Sequence, residues 1–416
     1  TTPVDAVIEQ YLNHYAEAEA QWSELVGQPA LAHDAHYEHA LVIPAFAENE
    51  DFLARVTERC QTPDTLNIVV VNAPESTERL QVSAEQLKQT ELLLQQLDHD
   101  VARPVLVIDR VSEGKRIAQP QGVGLARKIG TDVALRLFQQ GRIRSPWLCQ
   151  TDADARLPSN YFNAIANLAA LPGAVVFAHK HTSADPHITQ AADLYDAHMQ
   201  FYVQALAVNG SAYAYPTLGS TISVHAQSYA RVRGYPKRNA GEDFYLLNKL
   251  NKLHPVQVLQ QPVIEVQARL SPRVTFGTGP ALQNIVGLLA SDPSGDSYKS
   301  YDYRCFELLG HALTYLRNSG LGLEAPHSHA ASNSQQRQIE QILQTLGVAK
   351  ILNPALLQQP STRQRQKLLN DWFDALKTLR FVHEAAKYYP DTSLRQTLLS
   401  LPPLLRNKIT FNTGIE

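Results

Sequence analysis

The chain has 416 residues, 44% of them hydrophobic and 19% charged, with a formal net charge of −3. That length allows two or three domains with one sizeable core, and the charge lacks the basic excess of a general nucleic-acid binder. No apolar run approaches the roughly 20 residues that span a bilayer.

Cys60, Cys149 and Cys305 are too few and too scattered for a disulfide framework, which suits free thiols in a reducing compartment. The N-terminus shows no basic-then-apolar leader pattern, although it begins at Thr1, so a removed leader stays open. The expectation is a cytoplasmic protein, with peripheral membrane association as the alternative.

Residues 1–38 read as a helical extension. Val4, Ile8, Tyr11, Tyr15, Trp22 and Leu25 fall near helical spacing, which predicts one docked face. His33, His36 and His39 recur every third residue but lack acidic or cysteine partners at zinc-site spacing. From His39 the pattern changes to strands alternating with helices. Strands are expected at 40–44, 66–72 and 105–109, with a turn over 45–50, a helix through Arg59 and another from about Ser83 to Leu97. Short apolar strands separated by helices predict a mainly parallel sheet covered on both faces.

The stretch Gln121-Gly122-Val123-Gly124-Leu125-Ala126-Arg127-Lys128 follows a polar loop. Arg127 stands where a dinucleotide fingerprint needs its third glycine, which argues against a nicotinamide site. It reads as a glycine-bearing loop opening a helix, with Arg127 and Lys128 on the first turns. Free N–H groups and cations there suit a diphosphate; a solvated basic turn is the alternative. Next, the apolar run Trp147-Leu148-Cys149-Gln150 leads into Asp152 and Asp154. Alternate strand residues share a face, so both acids should point out of the strand's C-terminal mouth, where open α/β sheets bind ligands. Carboxylates that close repel, and a divalent cation relieves the repulsion; a solvated turn is again the alternative.

Beyond that pair, a helix is expected from Leu157-Pro158 and a strand over 173–181 with His179 and His181 on one face. A polar, aromatic stretch runs to Tyr215, and Thr217 to Val224 follow, including Gly219 and Ser220. Gly241-Glu242-Asp243 opens a helix striped by Leu246, Leu247 and Leu250. Acids there are favoured by the helix dipole alone, yet the same place can bring an acid to a cleft. Arg269 to Gly279 reads as a basic loop. Past Pro280 strand signals stop, and helical periodicity occupies 301–318, 334–347 and 361–388.

In their order these pieces resemble the family 2-type glycosyltransferases with the GT-A nucleotide-sugar fold. Val42-Ile43-Pro44-Ala45-Phe46-Ala47-Glu48 looks like that family's opening motif. Asp152-Ala153-Asp154 looks like its metal-binding motif, and Gly241-Glu242-Asp243 like the later acidic motif that supplies the base. The loop from Gly122 to Gly130, with Arg127, matches the segment the family places just before the metal motif, and the Ser271-Pro272-Arg273 loop with Gly277 and Gly279 resembles its phosphate-proximal loop. The resemblance covers roughly residues 40–280. It departs at Asn72, where many members carry an acidic pair, and no downstream histidine offers itself as a further metal ligand.

The resemblance implies an α/β, Rossmann-like GT-A domain over 39–280: a mixed, mainly parallel sheet flanked by helices. The helical extension (1–38) precedes it and a helical region (281–416) follows. It implies a hexosyltransferase that moves a sugar from a nucleoside diphosphate sugar to the hydroxyl of a saccharide or small molecule. Pro44, Ala45, Glu48, Asn72, Gly122, Arg127, Asp152 and Arg273 would bind the donor. Asp152 and Asp154 would hold Mg2+ or Mn2+. Asp243 would act as base for an inverting displacement, with Glu242 beside it, and Gly219, Ser220, His179 and His181 are candidates to face the acceptor. The C-terminal helices offer a surface for a homodimer. The rival readings are a sugar-phosphate nucleotidyltransferase, an aspartyl phosphatase and a non-catalytic nucleotide-sugar-binding scaffold. The turn after the first strand lacks the nucleotidyltransferase's glycine, and Arg156 follows the Asp pair where the phosphatase has Thr or Val.

Overall fold

The β-branched runs over 39–45, 65–72 and 105–110 form one side of an eight-stranded sheet. In the computed structural model, residues 3–21, 25–60, 64–78, 82–97, 103–168, 173–270, 277–323, 326, 327, 329–352, 358 and 361–410 are described. The strands are β1 (His39–Ala45), β2 (Thr65–Asn72), β3 (Val105–Arg110), β4 (Trp147–Gln150), β5 (Ala155–Arg156), β6 (Ala174–Thr182), β7 (Ile222–His225) and β8 (Gln257–Gln267). Their order is β3-β2-β1-β4-β7-β6-β8-β5. β1 pairs parallel with both β2 and β4, β2 with β3, and β6 with β8; β7 and β5 run antiparallel to their neighbours. This is the mixed, mainly parallel sheet that the alternating pattern predicts. Thr65 to Val71 are all buried, as a strand covered on both faces requires.

The chain divides into two compact units, Thr1–Ala184 with Thr217–Ala281, and Asp185–Pro216 with Leu282–Glu416. The first holds the sheet together with helices α1 (Pro3–His14), α2 (Phe52–Thr57), α3 (Ala84–Gln96), α4 (Gly122–Gln139), α5 (Tyr161–Ala166), α7 (Ala226–Arg231) and α8 (Glu242–Leu253). Ser83 closes a capping box with Gln86 at the start of α3, two orphan backbone donors satisfied at once. Helix α4 lies on β1 and β2. Helix α1 docks on α4 and α7 through Ile8 and Tyr11, both buried. Tyr15 on the same stripe is exposed, while Trp22 and the side chain of Val4 lie outside the described residues.

The second unit contains α6 (Pro186–Val208), most of α9 (Thr278–Ser291), α10 (Arg304–Leu321), α11 (Asn333–Thr345), α12 (Thr362–Trp372) and α13 (Ala375–Ala385). Phe201 of α6 meets Phe306 of α10 edge-on at 5.4 Å.

Four local expectations are corrected. The polar, aromatic stretch before Tyr215 is the 23-residue α6, whose start is set by Asp185 accepting from the His187 N–H and by Pro186 in its first turn. The helix expected at Leu157-Pro158 begins at Tyr161. The periodic span 361–388 is two helices, because the Asp374 carboxylate accepts the Lys377 N–H and starts α13. Strand structure also resumes beyond Pro280, where Lys299–Ser300 pairs antiparallel with Thr392–Ser393.

Candidate functional site

Because β1, β2 and β4 are parallel, their C-terminal ends share one edge, and the turns after them frame a cavity of about 400 Å³. Pro44, Phe46 and Glu48 come from the end of β1, Asn72 and Pro74 from β2, and Asp152 to Asp154 from the turn after β4. Gly122, Arg127, His181, Ser220, Asn239 and Arg269 complete much of the wall.

The turn after β1 is held under strain. Ala47 has φ +53°, a left-handed conformation that costs a non-glycine residue energy and survives where its surroundings fix it. Its N–H donates to Thr90 Oγ1 of α3 at 2.9 Å. Glu48, 8% exposed, then faces Arg269, whose Nη1 and Nη2 donate to its two carboxylate oxygens at 2.6 and 3.2 Å. This fork-on-fork pairing is the strong form of a charged hydrogen bond.

The aspartates reach the cavity by a route other than strand alternation. β4 ends at Gln150, and Asp152 and Asp154 lie in the turn that leads to β5. Asp152 is part-exposed and accepts from Arg127 Nη2 at 2.7 Å. Asp154 is half-buried; desolvation first, then Asp152, push its carboxyl up to about 6. Its Oδ1 is buried with no hydrogen-bond partner among the described residues.

Arg127 is the hinge between the two acidic motifs. While Nη2 holds Asp152, Nε donates to Glu242 Oε1 at 3.0 Å, and the guanidinium is only 4% exposed. Two residues 115 positions apart are thereby joined to the aspartate pair. Burial and the neighbouring Asp243 push Glu242 up to about 7, against the pull of Arg127. Asp243 is raised by its burial, lowered by Arg127 and raised by Asp152; its Oδ1 accepts the Phe244 N–H at 2.7 Å. Arg127 Nη1 has no partner among the described residues, and neither has the buried Ser220 hydroxyl. Gly219 packs flat on the guanidinium, and a Cβ there would clash with Arg127 Nη2.

Among the expected site residues, Pro44, Glu48, Asn72, Gly122, Arg127, Asp152, Asp154, His181 and Ser220 line the cavity. Ala45, Gly219, Glu242, Asp243 and His179 do not, although Gly219 and Glu242 touch Arg127. Arg273, with Ser271 and Pro272, lies outside the described residues. Lys128 turns away from the aspartates: its Nζ donates to Asp132 at 3.0 Å and to the Tyr11 hydroxyl at 2.5 Å. Asn72 spends its amide N–H groups on the carbonyls of Ala45 and Val70, leaving only its side-chain oxygen for a ligand. Arg269, Phe46 and Asn239 were not in the expected donor set; Arg269 was marked in sequence only as part of a basic loop.

The cavity region gathers five carboxylates, Glu48, Asp152, Asp154, Glu242 and Asp243, against three guanidiniums, Arg55, Arg127 and Arg269. Buried and half-buried carboxylates in excess favour uptake of protons or a cation. The unpartnered Asp154 oxygen and the all-oxygen donor set of Asp152 and Asp154 fit a hard divalent ion such as Mg2+ or Mn2+.

No protein-family model and no curated protein matches the chain. Solved structures similar to it include TarS 1-349 from S. aureus, at 11% identity and TM-score 0.33, covering 85% of this chain and 92% of that one. TarS 1-349 with UDP-GlcNAc stands at 12% and 0.32, covering 89% and 87%. The mannosyltransferase PcManGT from Pyrobaculum calidifontis, in complex with GDP-Man and Mn2+, stands at 15% and 0.37, covering 92% and 98%. At TM-scores this low the likeness carries no chemical argument, and the site's own atoms must supply it.

Proposed function

We propose that the chain is a glycosyltransferase that takes a nucleoside diphosphate sugar into the cavity at the ends of β1, β2 and β4. The observation that carries this reading is the Arg127 bridge. It ties the turn of Asp152 to the helix start of Glu242 and Asp243, so both acidic motifs that resemble the GT-A glycosyltransferases serve one site.

Asp152 and Asp154 would hold Mg2+ or Mn2+, which supplies positive charge to the departing diphosphate. Phe46, Pro74 and Ile117 wall the end of the cavity beside β2 and suit a flat base, to which Asn72 offers an acceptor. Arg127 leaves its buried Nη1 without a partner among the described residues and otherwise fixes the acids, so it positions more than it binds. Asp243 is the base in this reading: burial raises its affinity for a proton, and a positioned carboxylate accelerates such a transfer by roughly 10²–10⁴. One displacement with that base inverts the sugar's anomeric configuration. Ser220 and His181, both on the cavity wall, would meet the acceptor in this reading.

The test is release of nucleoside diphosphate from a panel of UDP-, GDP- and dTDP-sugars with and without Mn2+. Metal-dependent release from one of them is expected. Asp243→Asn should abolish transfer to an acceptor while donor binding persists, and loss of donor binding in that variant would remove Asp243 from its role.

A further inference from the structure

A second cavity, of about 370 Å³, opens within the helical unit between α10, α12, the start of α13 and the turn Gly210 to Tyr213. That is the size range of small-molecule sites. Its floor includes Leu369 and Phe373, 1% and 3% exposed, and Thr378, 1% exposed. Thr378 Oγ1 has no hydrogen-bond partner among the described residues. Buried hydroxyls are nearly always satisfied, and an orphan facing a cavity marks a missing partner.

At the rim stands Arg317, exposed and without an ion pair among the described residues. Asn370 beside it accepts from the Tyr213 hydroxyl through its main-chain carbonyl, and its side-chain amide has no partner among the described residues. Arg317 is the one charged residue among those that line the cavity, so the setting favours an anion.

We infer that this cavity binds a sugar carrying an anionic group, a sugar phosphate or sugar acid. Its anion meets Arg317, its ring covers Leu369 and Phe373, and a hydroxyl meets Thr378. A free guanidinium suits a carboxylate or phosphate, and a polyol ring offers both an apolar face and hydroxyls. The choice of a sugar over other organic anions rests on the glycosyltransferase reading.

The experiment is calorimetric titration of the full chain with glucose 6-phosphate, glucuronate, glucose and inorganic phosphate. Glucose 6-phosphate or glucuronate should saturate one site, and glucose and phosphate should each bind at least tenfold more weakly. Arg317→Ala should weaken binding about tenfold or more, the loss of one charge-assisted hydrogen bond. Thr378→Val, which keeps the shape and removes the orphan hydroxyl, should weaken it several-fold without lowering the melting temperature.

Absence of binding, binding indifferent to both substitutions, or phosphate alone binding as tightly would overturn the proposal. Binding here with no nucleotide release from any donor would sink the transferase reading and leave this site standing; release without binding would do the reverse.

Discussion

Arg127 spends its charge on two carboxylates and is itself almost fully enclosed. Arg127→Ala would strand Glu242 without its partner, a loss that costs about 3–5 kcal/mol for a buried pair, and should lower the melting temperature. Arg127→Lys should recover part of that stability yet little activity, because an ammonium cannot bridge both acids in the plane of the fork. Thermal melts beside a turnover assay would show the split.

The raised carboxyls make a pH prediction. Asp154 at about 6 and Glu242 at about 7 keep protons that the unfolded chain releases near pH 4. The folded state therefore binds more protons across roughly pH 4–7, and stability falls as pH rises through that window. In EDTA these two groups should make the chain melt higher at pH 5 than at pH 7.5. Mn2+ should raise the melting temperature more at pH 7.5, where protons no longer compete; the opposite order would remove the cation from the aspartates.

At the level of elements, α1 is fastened to α4 by a buried polar knot. Tyr11 and Tyr229 donate to Asp132 Oδ1 at 2.6 and 2.9 Å, Lys128 donates to Oδ2 at 3.0 Å, and the Glu17 N–H donates to Oδ2 at 2.8 Å. Tyr11→Phe should cost about 1–2 kcal/mol, one buried hydrogen bond. Asp132→Ala should cost roughly 3–5 kcal/mol, since it leaves the Lys128 charge buried; urea unfolding would separate the two.

That α1 docks by one face was legible from its spacing, but its partner was not, because the knot joins residues more than 100 positions apart. Lys128 was misread for a geometric reason. Successive helical residues point about 100° apart, so the neighbour of a site-facing Arg127 faces elsewhere. Helix α6 escaped notice because its apolar residues alternate with polar and aromatic ones without a clean stripe, although the Asp185-Pro186 start signal was present.

Across the whole chain, the mainly parallel sheet was readable because apolar strands alternating with helices are a local pattern, whereas the strand order, which joins segments far apart in sequence, was not. The second cavity was not, since it exists only where segments near 213, 317, 370 and 378 meet. Each unit is built from two separated segments, and this leads to a prediction about truncation. A chain ending at Ala281 keeps α6 but loses α10, exposing Phe201 and Tyr202, which pack on Phe306. Such a fragment should be insoluble or bind hydrophobic dyes, whereas a soluble, cooperatively melting fragment would contradict the division.

No helix of the described residues is long and apolar enough to cross a membrane. The interleaved layout also sets a timetable during synthesis. Helix α6 leaves the ribosome about a hundred residues before α10 begins, on the order of 5–20 s at ordinary elongation rates. For that interval its Phe201 face has nowhere to go, and a nascent chain stalled near residue 285 should be a better chaperone client than one stalled near residue 400.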